Sequence, residues 1–83
     1  MLKPLIVSAL EYKKKILDLG IAQTQARLAD FENKFGMTSV DFEQRLNTLA
    51  LVETVAFTEW RMEIGMLRLL RNQYQALEEV RFD

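Results

Sequence analysis

The sequence predicts an all-α fold, a long antiparallel helical hairpin (helices about 4–35 and 54–81) with a short middle helix (about 39–49), oligomerising as a helical bundle. Three observations carry this reading. Apolar side chains recur at helical spacing through nearly the whole chain. Only three glycines and one proline interrupt 83 residues, and Pro4, Gly36 and Gly20 stand where a helix begins, ends or packs. The apolar stripes are more numerous than one small hairpin can bury, and a chain of this length hides only ~60–65% of its unfolded surface on its own. Residues 1–83 read as a single helical domain.

The first helix is favoured from Pro4, which is tolerated in a first helical turn, and only Gly20 discourages it before Phe35. At ~100° per residue, Ile6, Leu10, Leu17, Ile21, Leu28, Phe31 and Phe35 share one stripe, the intramolecular face. A second stripe, Leu5, Ala9, Tyr12, Ile16 and Leu19, falls on the opposite side and only in the N-terminal half. Gly20 stands where that stripe ends; a mid-helix glycine costs about 1 kcal/mol against alanine, which close helix packing or a slight bend would explain.

The stretch FENKFGMTSVDF reads as a helix stop followed at once by a helix start. Gly36 suits the left-handed residue that ends a helix after Phe35. Thr38 is the expected N-cap of the middle helix with Asp41 at N3, and Met37 and Phe42 occupy the N′ and N4 positions of a hydrophobic staple. Gly36, Met37, Thr38 and Phe42 are therefore a structural corner rather than a phosphate-binding loop, which needs more glycines. Phe42, Leu46 and Leu49 then mark a short amphipathic helix. Its end is poorly signalled: ALVETVAF contains no Gly or Pro, so the chain either breaks before a capping Thr54 or kinks there.

From Val55 to about Arg81 there are again two stripes. Phe57, Trp60, Ile64, Leu67 and Tyr74 form one; Val55, Met62, Met66, Leu69, Ala76 and Val80 form the other, with Leu70 and Leu77 between them. A third helix of ~27 residues is ~40 Å long, whereas the middle helix reaches only ~16 Å, so it covers the corner and leaves the far end of the hairpin bare. Large aliphatic side chains at that end are each worth roughly 1.5–3 kcal/mol on burial. The expected partner-binding or oligomer interface is therefore Leu5, Tyr12, Ile16 and Leu19 of the first helix with Trp60, Met62, Met66, Leu69, Leu70, Tyr74, Leu77 and Val80 of the third. Trp60 and Tyr74 suit a core as well as a hot spot. The simplest partner is a second copy of the chain, as a homodimer or higher oligomer; a protein partner of another kind is compatible with the same surface.

Composition narrows the function classes. A formal net charge of −1 and a pI near 5.4 provide no positive field for nucleic acid. The chain has no cysteine and no histidine, which removes thiol nucleophiles, zinc sites and the commonest general base. Glu59 with Glu63, and Glu78 with Glu79, lack the histidines of a di-iron bundle, so no metal and no cofactor are expected. Lys13, Lys14 and Lys15 are offset by Glu11 and Asp18 and read as a solvated helix face. Ser8, Ser39 and Thr58 have no plausible activating partner, and the expectation is a non-enzymatic binding protein. The apolar run in MLKPLIVSALEYKKK is too short to span a bilayer and carries no small-residue cleavage site, which points to a cytoplasmic protein that does not engage a membrane.

FENKFGMTSVDF followed by TEWRMEIGMLRLL resembles the small helical antitoxins of prokaryotic two-gene toxin–antitoxin modules, most closely the partners of TumE-type toxins. The shared features are an aromatic residue and Glu, an aromatic-Gly-Met-Ser/Thr corner, and a later Glu-Trp within an amphipathic helix: here Phe31, Glu32, Phe35, Gly36, Met37, Thr38, Phe42, Glu59 and Trp60. The resemblance covers roughly the C-terminal two thirds of the chain. It implies a protein that binds and neutralises a toxin encoded beside it. NTLALVETVAF departs from the pattern, in which a more polar, acidic loop is expected. The alternative is a structural or adaptor protein that self-assembles as a helical bundle.

Overall fold

The computed structural model describes residues 2–48 and 51–80, and among them it contains three α-helices and no strand: α1 Leu2–Phe35, α2 Ser39–Asn47 and α3 Val55–Glu78. At 1.5 Å per residue these are ~51, ~14 and ~36 Å long. The molecule is correspondingly elongated, 56 × 21 × 17 Å.

The corner forms as its residues dictate. Gly36 has φ +68°, and its N–H donates to the Glu32 carbonyl (2.9 Å), closing the last turn of α1. The Thr38 hydroxyl accepts from the Asp41 N–H (3.1 Å), so α2 starts at Ser39. A third group was not foreseen: the Glu32 carboxylate accepts the Ser39 N–H at 2.7 Å. A residue of α1 thus satisfies an orphan donor of α2, and its negative charge sits at the favourable end of that helix.

The second junction is a break and not a kink. Thr54 caps α3 by accepting from the Phe57 N–H (3.1 Å), and the Thr58 N–H reaches back to the Thr54 carbonyl (2.9 Å). Glu53 takes the Thr58 hydroxyl at 2.6 Å and lies 3.4 Å from Arg61, tying the connecting segment to the first turn of α3. Helix α2 stops at Asn47 because the Thr48 hydroxyl donates to the Gln44 and Arg45 carbonyls. Leu49, expected in this helix, lies outside the described residues. Helix α3 ends at Glu78, earlier than Arg81, with the Val80 N–H tightening onto the Leu77 carbonyl; Arg81 itself lies outside the described residues.

Helices α1 and α3 pair along a seam with steps of four and three residues. On α1 the buried or half-buried positions from Leu10 onward include Leu10, Lys14, Leu17, Ile21, Thr24, Leu28, Phe31 and Phe35, with Gly20 and Glu32 beside them; on α3 they include Ala56, Trp60, Glu63, Leu67, Leu70, Tyr74 and Leu77, with Ile64 beside them. This is the spacing of a coiled-coil seam, here between antiparallel halves of one chain. Two of its members are not apolar. Thr24 is completely buried, donating its hydroxyl to the Gly20 carbonyl (2.8 Å) and receiving Arg27 Nη2 (3.3 Å). Arg27 Nε in turn lies 2.9 Å from Glu63 Oε2, a charge contact rather than an aligned hydrogen bond. Gly20 is explained by close packing: a methyl group on it would lie 3.3 Å from Leu70 Cδ1.

Ile6, expected on the intramolecular face, is exposed. Helix α3 ends level with Val7 and Leu10, which line a shallow groove with Leu77 and Val80, so the first turns of α1 project past any cover. The second stripe of α1 faces away from α3, as expected: at ~100° per residue Tyr12 lies ~160° around the helix from Leu10, and Leu19 ~160° from Ile21.

The best-packed region lies at the corner. Phe42 stacks on Trp60 with ring centroids 3.9 Å apart and planes 2° from parallel, while Phe31 and Phe35 approach the indole at 5.6 and 5.7 Å. Phe57 packs against Phe35 and Phe42. The indole N–H donates to Ser39 Oγ at 2.9 Å, so the one polar atom of the cluster's centre is satisfied.

Two stability outcomes follow from the corner. Gly36→Val should destabilise the fold by at least ~1 kcal/mol, because a β-branched residue resists a positive φ; an unchanged thermal melt would remove Gly36 as the left-handed cap. Trp60→Ala should cost ~3–5 kcal/mol, and Trp60→Phe distinctly less, since it keeps most of the volume and loses only the bond to Ser39. Denaturant titration of both variants measures the difference, and an Ala variant as stable as Phe would contradict the packing described.

Candidate protein-binding surface

The residues expected to form an interface divide into two groups. Trp60 is completely buried among Phe31, Phe35 and Phe42, so it is core and offers no surface. Leu70, Tyr74 and Leu77 are half-buried in the hairpin seam, where Leu70 rests against Gly20. They belong with the intramolecular contacts. Leu5, Tyr12, Ile16, Leu19, Met62, Met66, Leu69 and Val80, by contrast, are all exposed, from 43% for Val80 to 68% for Leu5, Tyr12 and Met62.

These exposed side chains repeat the rhythm of the seam. On α1 they run Leu5, Ala9, Tyr12, Ile16, Leu19, again in steps of four and three; on α3 they run Val55, Glu59, Met62, Met66, Leu69, Gln73, Ala76, Val80. Each long helix therefore carries a second seam that nothing among the described residues covers. Both were visible in the sequence as stripes; the strict spacing emerges once the inner seam defines the register.

Helix α2 fixes which side of the hairpin these seams occupy. It lies on the flank where Glu32 holds Ser39 and where Glu43 bonds Arg68 Nη2. That hydrogen bond, reinforced by the carboxylate's charge, raises the Arg68 guanidinium above its already high ordinary pKa. The opposite flank has an open groove near the corner lined by Arg27, Asp30, Phe31, Lys34, Glu59 and Glu63, with a volume of about 350 Å³. Ile16 precedes Arg27 by about three helical turns and Glu59 precedes Met66 by about two, which puts both outer seams on the groove side, away from α2. The far end of this face is apolar and its corner end is charged, with Arg27, Asp30 and Lys34 on the α1 edge and Glu59 and Glu63 on the α3 edge.

Chemically, the face offers aliphatic, thioether and phenol groups with a charged margin. Among the described residues no group of three or more Asp or Glu is arranged to hold a metal ion, and no helix is long and apolar enough to cross a membrane. No family model, curated protein or solved structure matches the chain. The reading of this surface therefore rests on its own geometry.

Proposed function

We propose that the chain is a non-enzymatic, cytoplasmic protein-binding module, antitoxin-like in its action, which neutralises a small toxin encoded beside it through the apolar face of its helical hairpin. The observation that carries the binding reading is the second seam. Several large side chains on two rigid helices stand in water on one face, and anchors of this kind supply most of the free energy of a protein interface. Met62 and Met66 add unbranched side chains that conform to a foreign surface. The choice of a toxin as the partner comes from the resemblance carried by Phe31, Glu32, Phe35–Thr38, Phe42, Glu59 and Trp60. Placed in the structure, those residues build the corner and its core, so in this reading they hold the hairpin rigid while the outer seams make the contact.

A second reading, a structural or adaptor protein that assembles through the same face, is favoured by the same exposed seams and differs only in the partner. Co-expression of the chain with the product of its neighbouring gene separates the two. The antitoxin reading expects co-purification and rescue of growth, both lost in Leu19→Glu combined with Met66→Glu, while circular dichroism shows helix content unchanged, because glutamate is a good helix former. Failure of the unaltered chain to bind or rescue would leave the adaptor reading.

A further inference from the structure

The N-terminal half of α1 sorts its charges around its uncovered apolar side chains. At ~100° per residue, Leu19, Tyr12, Leu5, Ile16, Ala9 and Leu2 fall within an arc of ~100°, and all of them are exposed. Lys15 stands ~40° beyond one margin of this arc and Lys13 ~20° beyond the other. Both lysines are exposed, and among the described residues neither enters an ion pair. The acids of this half point elsewhere: Glu11 and Asp18 lie ~130° and ~150° from the middle of the arc. On that far side Glu11 pairs with Lys14 at 3.6 Å.

We propose that this half of α1 lies in the plane of an anionic lipid surface, with Leu2, Leu5, Tyr12, Ile16 and Leu19 immersed and Lys13 and Lys15 reaching the headgroups from either side. An apolar arc bordered by cations holds a helix in a membrane interface, because the lysine stems extend along the apolar layer while the ammonium groups stay among the phosphates. A phenol on the arc suits the same depth, where aromatic rings with a polar tip concentrate. The expectation of no membrane contact rests on a run too short to span a bilayer, and a helix lying in the plane needs an apolar arc instead of a spanning length. The inference goes beyond the protein-binding reading and stands on α1 alone.

Two features favour lipid over a protein at this place. A partner helix seats in a cleft between helices, whereas the arc is a convex ridge set well around α1 from its seam with α3. A yielding, uniformly anionic surface, such as a cytoplasmic leaflet, meets both lysine margins at once. The second feature is the charge farther along the same line. There the row reaches Gln23 and then Asp30, with Glu59 and Glu63 across the groove at the corner. A negative surface repels that end, so the far end of the hairpin is the tether and the corner stands off the lipid.

The experiment sediments the full chain with vesicles of phosphatidylcholine alone and of phosphatidylcholine mixed with phosphatidylserine, at low and high salt. The expected result is binding to the mixed vesicles only, weakened at high salt. Lys13→Gln combined with Lys15→Gln lowers the affinity roughly 30-fold, about fivefold per lysine, while Lys14→Gln, on the far side, leaves it nearly unchanged. Glutamine is a good helix former, and circular dichroism checks that helix content is kept. On the mixed vesicles the emission of Tyr12→Trp shifts to the blue and that of Glu11→Trp does not, each read against the constant signal of buried Trp60. No binding to the mixed vesicles overturns the inference, as does equal binding to phosphatidylcholine alone or an equal loss in Lys14→Gln. A chain that ignores both vesicles yet captures the neighbouring gene product overturns the lipid inference and leaves the protein-binding reading in place. One that binds the mixed vesicles and fails the growth rescue supports the lipid inference and removes the antitoxin reading.

Discussion

The stack of Phe42 on Trp60 is the contact on which the rest of the structure depends. A nine-residue helix has too few backbone bonds to persist alone in water, and α2 persists because its one fully buried residue lies flat against an indole that α1 and α3 enclose from other sides. Trp60 comes from α3, Phe31 and Phe35 from α1, and Phe42 from α2, so all three helices meet at one ring. Aromatic pairs contribute roughly 0.5–1.5 kcal/mol beyond the area they bury. Polar bonds then orient this apolar joint: Ser39 receives the indole N–H through its hydroxyl and gives its own N–H to Glu32. One serine thereby links α2 to both long helices.

Away from that joint, packing becomes progressively thinner. The hairpin continues through Leu28 with Ile64, then Leu17, to Leu10 and Leu77, but α2 covers none of this far half and α3 stops before α1 begins. The architecture is a well-packed corner with two projecting arms. Leu5, Tyr12, Ile16, Leu19, Leu69 and Val80 stand exposed along the arms, which is why the surface of interest lies far from the corner that the sequence marks so clearly. Arms built from uninterrupted helix are nevertheless stiff, and their side chains keep a fixed spacing even without cover.

Much of this was legible in the sequence, and the exceptions have physical causes. Gly36, Thr38 and Thr54 declared their roles because caps and positive-φ positions depend on residues close in the chain. Glu32 did not, since its bond to Ser39 crosses the corner and requires the turn to be formed first. Thr24 and Lys14 were overlooked in the inner seam because they are not apolar, although position alone buries or half-buries them. Trp60 was placed on the binding surface because helical spacing is the same for a core residue and for an anchor; only the approach of Phe42 distinguishes them.

The pairing of Arg27 with Glu63 has a further consequence, for how the two arms can slide. A seam with steps of four and three is nearly self-similar, and a slip of one heptad, about 10 Å along the axis, would bring apolar rows back into contact. Such a slip would carry Arg27 from Glu63 to the level of Leu70 or Ala56, and it would take Leu70 away from the space that Gly20 leaves for it. The contact between Thr24 and Arg27 lies within α1 and would survive the slip, so the penalty falls on the pairing with Glu63 and on the fit at Gly20. One ion pair and one glycine thus act as a key in an otherwise repetitive lock, giving the arms a single alignment and presenting the outer seams in one phase.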